Sequence, residues 1–131
     1  MLEIKSIEPN QVRDNCLKER MERASSGISS EYIALMNNIE VGFISLVFWP
    51  TNTTAFIYEI YVLHNYRRKG VGEKLLTFAE DKAAQSHRNP IKLEPNNFDR
   101  TITKEKLISW YEKHGYKKDN TSNEYWIKSL F

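Results

Sequence analysis

Arg67, Arg68 and Lys69 stand directly before Gly70, Val71, Gly72, Glu73 and Lys74. The run lies between an apolar stretch at 55–63 and a segment whose Val71, Leu75, Leu76, Ala79 and Ala83 recur at helical spacing. A strand, a basic glycine turn and a helix start together make a seat for an anion. The first N–H groups of a helix lack intrahelical partners, and the helix dipole places partial positive charge there. Gly70 and Gly72 let backbone approach a ligand closely, and the three cations add full charge. The spacing is not that of a P-loop, which needs Gly-x-x-x-x-Gly-Lys-Ser/Thr. Nor is it a dinucleotide fingerprint, since the third glycine is missing.

Two further residues have the chemistry of catalysts. Glu59 is the single charge in the apolar stretch at 55–63. A buried carboxylate is costly unless it is paired or used, so Glu59 is either a general base or the partner of a nearby Lys or Arg. His64 is a second candidate base, while His87 and His114 read as surface residues at helix ends. Tyr111 lies in Trp110-Tyr111-Glu112-Lys113-His114-Gly115-Tyr116. Its phenol could donate a proton or a hydrogen bond, or its ring could simply pack on a sheet. The three His and the one Cys have no metal-ligand spacing, and no Gly-x-Ser-x-Gly nucleophile turn occurs. Cys16 falls among apolar residues and reads as core.

The elements that position these residues follow from period. Leu2 to Ile7 alternate as a first strand, and Pro9 opens a helix with Val12, Cys16, Leu17 and Met21 on one face. Ser25-Ser26-Gly27 breaks it. Strands are expected at 31–36 and 39–49, joined by a tight turn at Asn37-Asn38, whose residues tolerate positive φ. A fourth, near-continuously apolar strand at 55–63 has the character of a central one. The helix from Val71 runs to about Gln85, and a short strand follows at 91–93. After a polar loop at 95–103, Leu107, Ile108, Trp110 and Tyr111 mark a last helix capped by Gly115. Tyr116 and 125–127 suggest closing strands. The expectation is one mixed α/β domain over residues 1–131, a twisted mixed sheet of six to seven strands flanked by helices.

Composition sets outer limits. Net charge is +2 from 19 basic and 17 acidic residues, which gives no case for a nucleic-acid partner. The lone cysteine excludes an internal disulfide, and no apolar run has membrane-spanning length. With no signal-peptide pattern at Met1, the expected compartment is the cytoplasm.

The glycine turn resembles the acetyl-CoA motif of the GNAT superfamily of N-acetyltransferases, Gln/Arg-x-x-Gly-x-Gly/Ala, at Arg67, Gly70 and Gly72. The order of elements is similar throughout, and Tyr111, Gly115 and Tyr116 resemble the family's Tyr-x-x-x-Gly-Phe. The resemblance implies that backbone across the turn holds the coenzyme A pyrophosphate and that Tyr111 serves the departing thiolate. It also implies that Glu59 sits where members often carry a base. The fourth strand should bulge and part from the fifth, so that a backbone N–H among Tyr61, Val62 and Leu63 polarises the thioester carbonyl. The chain departs from the pattern at Lys104 and Leu107, where many members carry Asn and Ala, and Asn96 and Asn97 are the candidate substitutes. The implied activity is direct transfer of acetyl from acetyl-CoA to an amine of a small molecule or protein. Residues 21–30 and Phe48-Trp49-Pro50 would flank the acceptor, and a homodimer is the assembly many members adopt. The alternative is an acyl-CoA-binding sensor or interaction module without catalysis.

Overall fold

A computed structural model describes residues 2–96, 101–122 and 124–131. The strands are β1 (Leu2–Ser6), β2 (Ser29–Met36), β3 (Ile39–Val47), β4 (Ala55–Val62), β5 (Ile91–Leu93), β6 (Lys117–Lys118) and β7 (Trp126–Lys128). The helices are α1 (Asn15–Ala24), α2 (Val71–Gln85) and α3 (Lys104–Lys113). One seven-stranded sheet runs β1-β2-β3-β4-β5-β7-β6. Among the described residues only β4 and β5 pair in parallel, with α2 as their crossover. The expected mixed sheet flanked by helices is therefore observed.

The two faces carry different layers. On one, Leu75, Leu76, Ala79 and Ala83 of α2 pack with Tyr111, Ile57, Ile91 and Trp126. On the other, Leu17, Met21 and Ala24 of α1 pack against Ile33, Leu35 and Phe43. Asn37 and Asn38 take φ of 51° and 68°, so the predicted two-residue hairpin forms with both turn residues left-handed.

The helix expected from Pro9 is broken in two. Pro9–Gln11 make one 3-10 turn, and α1 starts only at Asn15. The cause is Glu40, whose carboxylate accepts from the backbone N–H groups of Arg13 and Asp14 at 2.9 and 2.6 Å. Asp14 then caps α1 by accepting from Leu17 N. Starting there turns Cys16 outward, so it is exposed rather than core. Val12 still reaches the core, but from outside the helix.

Candidate functional site

The centre of the site is a one-residue irregularity in β4. Ser45 faces Glu59 and Leu46 faces Ile57, which leaves Tyr58 as an extra residue. The bulge shifts the phase of the strand. Ala55 and Ile57 point toward α2, and so do Ile60 and Val62, while Glu59 and Tyr61 point toward α1. β4 pairs with β5 only at Ala55, Phe56 and Ile57, before the bulge. Beyond it the strands part, as anticipated. A gap of about 30 Å³ between them is lined by Tyr58, Glu59, Leu93, Asn96, Leu107 and Tyr111. The two predicted catalytic residues thus meet at one gap.

A cleft of about 1000 Å³ continues from Glu59 along the free edge of β4 to the start of α2. Tyr61, Val62, Arg67, Arg68, Gly70, Val71, Gly72 and Glu73 line it, together with His64, Tyr66, Lys106 and Trp110. Leu63, Lys69 and Lys74 do not. The Leu63 side chain packs toward α1, and its N–H donates to Val41 O at 2.8 Å. Alternation along β4 then leaves Val62 as the one of the three expected donors facing the β5 side. Val62 O already accepts from Arg67 Nε at 2.9 Å, and Arg67 Nη1 donates to Thr101 Oγ1 at 3.1 Å.

The turn is built as an anion seat requires. Arg68 and Gly70 take φ of 63° and 82°, and residues in this region arrange nearby N–H groups into a concavity. Only glycine adopts that backbone cheaply, so the strain at Arg68 marks a turn held by its surroundings. The first intrahelical bond of α2 runs from Lys74 N to Gly70 O, leaving the N–H groups of Val71, Gly72 and Glu73 ahead of it. A side chain on Gly72 would enter the space in front of Trp110, whose ring lies 3.4 Å from the added Cβ. The cleft, the turn and its cations fit a nucleotide diphosphate with an extended arm.

Glu59 is buried at 4% exposure and ion-paired, the alternative left open beside catalysis. Arg20 Nη1 donates to it at 2.8 Å and Arg23 Nη2 at 3.3 Å, both from α1. The Arg20 guanidinium also stacks 3.8 Å from the centre of the Tyr61 ring, and Arg67 approaches the same ring at 5.3 Å. Burial acts to lower the pKa of Arg20. Its hydrogen bonds to Glu59 and Cys16, with the charge of Glu59, raise it overall. These two arginines were missed by sequence reasoning. Their signal was spacing: residues 20 and 23 share a face of α1. Beside Glu59 on the same face lie Ser45 and Glu31, the hydroxyl donating to the Glu31 carboxylate at 2.7 Å.

Tyr111 is buried at 4% exposure among Trp110 and Tyr116, whose rings lie 5.0 and 5.6 Å away. Burial pushes its phenol above the ordinary value of 10.0. Gly115 at φ 95° ends α3, where Tyr116 N returns to Tyr111 O at 3.1 Å. His64 is exposed at the cleft, and His87 is exposed as expected. His114 is half-buried instead, its Nδ1 2.8 Å from Trp110 O. Asn96 lines both cleft and gap, Leu107 lines them too, and Lys104 is exposed at the start of α3. Asn97 lies outside the described residues. Among the described residues, no helix is long and apolar enough to cross a membrane, and no cluster of metal-ligating side chains occurs.

A splayed β4–β5 pair opening onto a glycine turn is the geometry of proteins that seat an acyl-coenzyme A along a strand edge. Residues 28–118 match the family model described as "Acetyltransferase (GNAT) domain". The chain belongs to the GNAT acetyltransferase family. It is 33% identical over 109 residues to the uncharacterized N-acetyltransferase YhfO of Bacillus subtilis (strain 168), across 79% of this chain. It spans 66% of that relative's length. Among solved structures it resembles a GNAT family acetyltransferase from Elizabethkingia anophelis with acetyl-CoA bound, with TM-score 0.75, 18% identity and coverage of 98% and 97%. It also resembles PaiA N-acetyltransferase from Thermoplasma acidophilum in complex with coenzyme A, with TM-score 0.69, 17% identity and coverage of 98% and 99%.

Proposed function

We propose that this chain transfers acetyl directly from acetyl-CoA to a primary amine. The observation that carries this is the parting of β4 from β5 beyond the Tyr58 bulge, with Glu59 and Tyr111 on one gap. Membership of the family supports acetyl-CoA as the co-substrate. Its pyrophosphate would lie on the N–H groups at the start of α2, with Arg67 and Arg68 beside it. Its pantetheine arm would run along the free edge of β4, where Val62 supplies the N–H that polarises the thioester carbonyl.

The amine nitrogen attacks the thioester carbon. The N–C bond forms, the C–S bond breaks, and coenzyme A departs as a thiolate. The amine must shed one proton, which Glu59 accepts directly or through a water in the gap. Arg20 and Arg23 hold that carboxylate in place, and they also compete for its lone pairs. Tyr111 faces the thiolate. With its phenol raised above 10, full proton transfer to a thiolate of ordinary pKa, about 8.5, is uphill by more than about 2 kcal/mol. Tyr111 therefore stabilises the sulfur by donating a hydrogen bond, and solvent completes the protonation. The ion pair on Glu59 gives weight to a second reading, acyl-CoA binding without turnover.

Calorimetric titration with acetyl-CoA tests the seat, with Gly72→Glu as control, and release of free thiol with a panel of amines tests transfer. Micromolar binding lost in the variant, with amine-dependent thiol release, is the expected result. Binding without release under any amine would favour the sensor. No binding by folded wild-type protein would overturn both.

A further inference from the structure

Resting on that reading, we propose that the acceptor is a free α-amino acid with a flat apolar side chain. On the α1 side of the sheet Glu59 carries two guanidiniums on one carboxylate, with Glu31 held by Ser45 beside it, which is not an acidic well. Glu59 is bracketed by Arg20 at 2.8 Å and Arg23 at 3.3 Å. A polyamine or aminoglycoside would have to break that pair and lie against two guanidiniums. A zwitterion exchanges charge for like charge. Its ammonium takes the place of a guanidinium at Glu59, and its carboxylate takes the place of Glu59 at Arg23. Arg23 is suited to that exchange, since its side chain is 51% exposed and its contacts with Glu59, at 3.3 and 3.5 Å, are long.

The side chain of such an acceptor has a wall to meet. Phe56 shares the face of Glu59, because Ser45 and Val47, two residues apart on β3, are their respective partners. Two residues of strand place Phe56 about 7 Å from Glu59, a reach that suits an aromatic amino acid. The Trp49 ring lies 5.4 Å from Phe56, and Tyr125 lies 6.0 Å away at 84°. All three are half-buried. Lys92, opposite Phe56, is directed to Asp119 at 3.4 Å and lies over Tyr125 at 5.2 Å. The wall is therefore aromatic next to an ion pair, the complement of an aromatic side chain next to a zwitterion.

The test is equilibrium binding of L-tryptophan, tryptamine and spermidine to the protein saturated with coenzyme A, in wild type, Arg23→Glu and Trp49→Ala. L-Tryptophan should bind at least about tenfold more tightly than tryptamine or spermidine, the scale of one charge-assisted hydrogen bond. Arg23→Glu should remove that preference, and Trp49→Ala should weaken L-tryptophan and tryptamine alike. Equal or tighter binding of spermidine or tryptamine to wild type overturns the proposal, as does an L-tryptophan affinity that Arg23→Glu leaves unchanged. Coenzyme A binding without amino-acid selectivity refutes this inference alone, whereas absence of coenzyme A binding refutes the acetyltransferase reading beneath it.

Discussion

Replacing Arg20 with Met should be far more damaging than its place on a surface helix suggests. The Glu59 side chain is 2% exposed and that of Arg20 is 16%. Removing one partner of a buried pair costs about 3–5 kcal/mol when the remaining charge has no other support. Here Arg23 still reaches Glu59 at 3.3 Å, which reduces the loss to about 2 kcal/mol. The lost stacking on Tyr61, 3.8 Å away, adds about 0.5 kcal/mol after Met packs in its place. The total of about 2.5 kcal/mol should lower Tm by roughly 10 °C for a domain of this size. Urea denaturation with an unchanged m-value is the assay. Glu59→Gln should cost only about 1 kcal/mol, because the amide oxygen still accepts from Arg20 and the half-exposed Arg23 can turn to water. The double variant should then lose at least about 1 kcal/mol less than the sum of the singles. Additive effects, or a loss below about 0.5 kcal/mol for Arg20→Met, would refute the claim that this pair holds the carboxylate.

Gly42→Ala should destabilise by about 2 kcal/mol and weaken acetyl-CoA binding, measured by urea denaturation and calorimetry. Its Cβ would lie 2.7 Å from Tyr61 O, so β4 itself must move at the splay. Tyr111→Phe should keep acetyl-CoA affinity within about twofold and slow thiol release by roughly 10- to 100-fold. The buried phenol also sets an alkaline limit. Its folded pKa is raised above the ordinary 10.0, so the unfolded chain gives up its proton first. The contribution of Tyr111 is therefore fully present below pH 10 and is lost as pH rises above it, and Tyr116, raised by burial and by Glu80, acts in the same direction. Tyr111→Phe should flatten that fall by up to about 1.4 kcal/mol per pH unit in denaturation series across this range.

What the sequence made legible was what short-range physics decides. The glycine turn, α2 from Val71 to Gln85, β5 at 91–93 and the Asn37-Asn38 hairpin are each specified by residues within a few positions. The start of α1 was not legible because Glu40 captures the N–H groups of Arg13 and Asp14 from 27 and 26 residues away. Cys16 changed sides as a consequence. Glu59 was legible as an anomaly, a charge in an apolar strand, but its partners Arg20 and Arg23 are 39 and 36 residues distant. No local pattern could distinguish a free carboxylate from a paired one.

The bulge at Tyr58 explains why a near-continuously apolar strand can house the site at all. A regular strand with Ile57 against α2 would also point Glu59 at α2, into a layer made of Leu75, Leu76 and Ala79. Those three side chains offer the carboxylate no partner, so its burial there would be uncompensated. One extra residue reverses the phase, so Glu59 turns to α1 and meets two guanidiniums, while Ile60 and Val62 keep the α2 face apolar. The same irregularity ends pairing with β5 after Ile57 and frees the edge along which the cleft runs. The opening between β4 and β5 and the orientation of the carboxylate beside it thus have a single backbone cause, and neither can be altered there without the other.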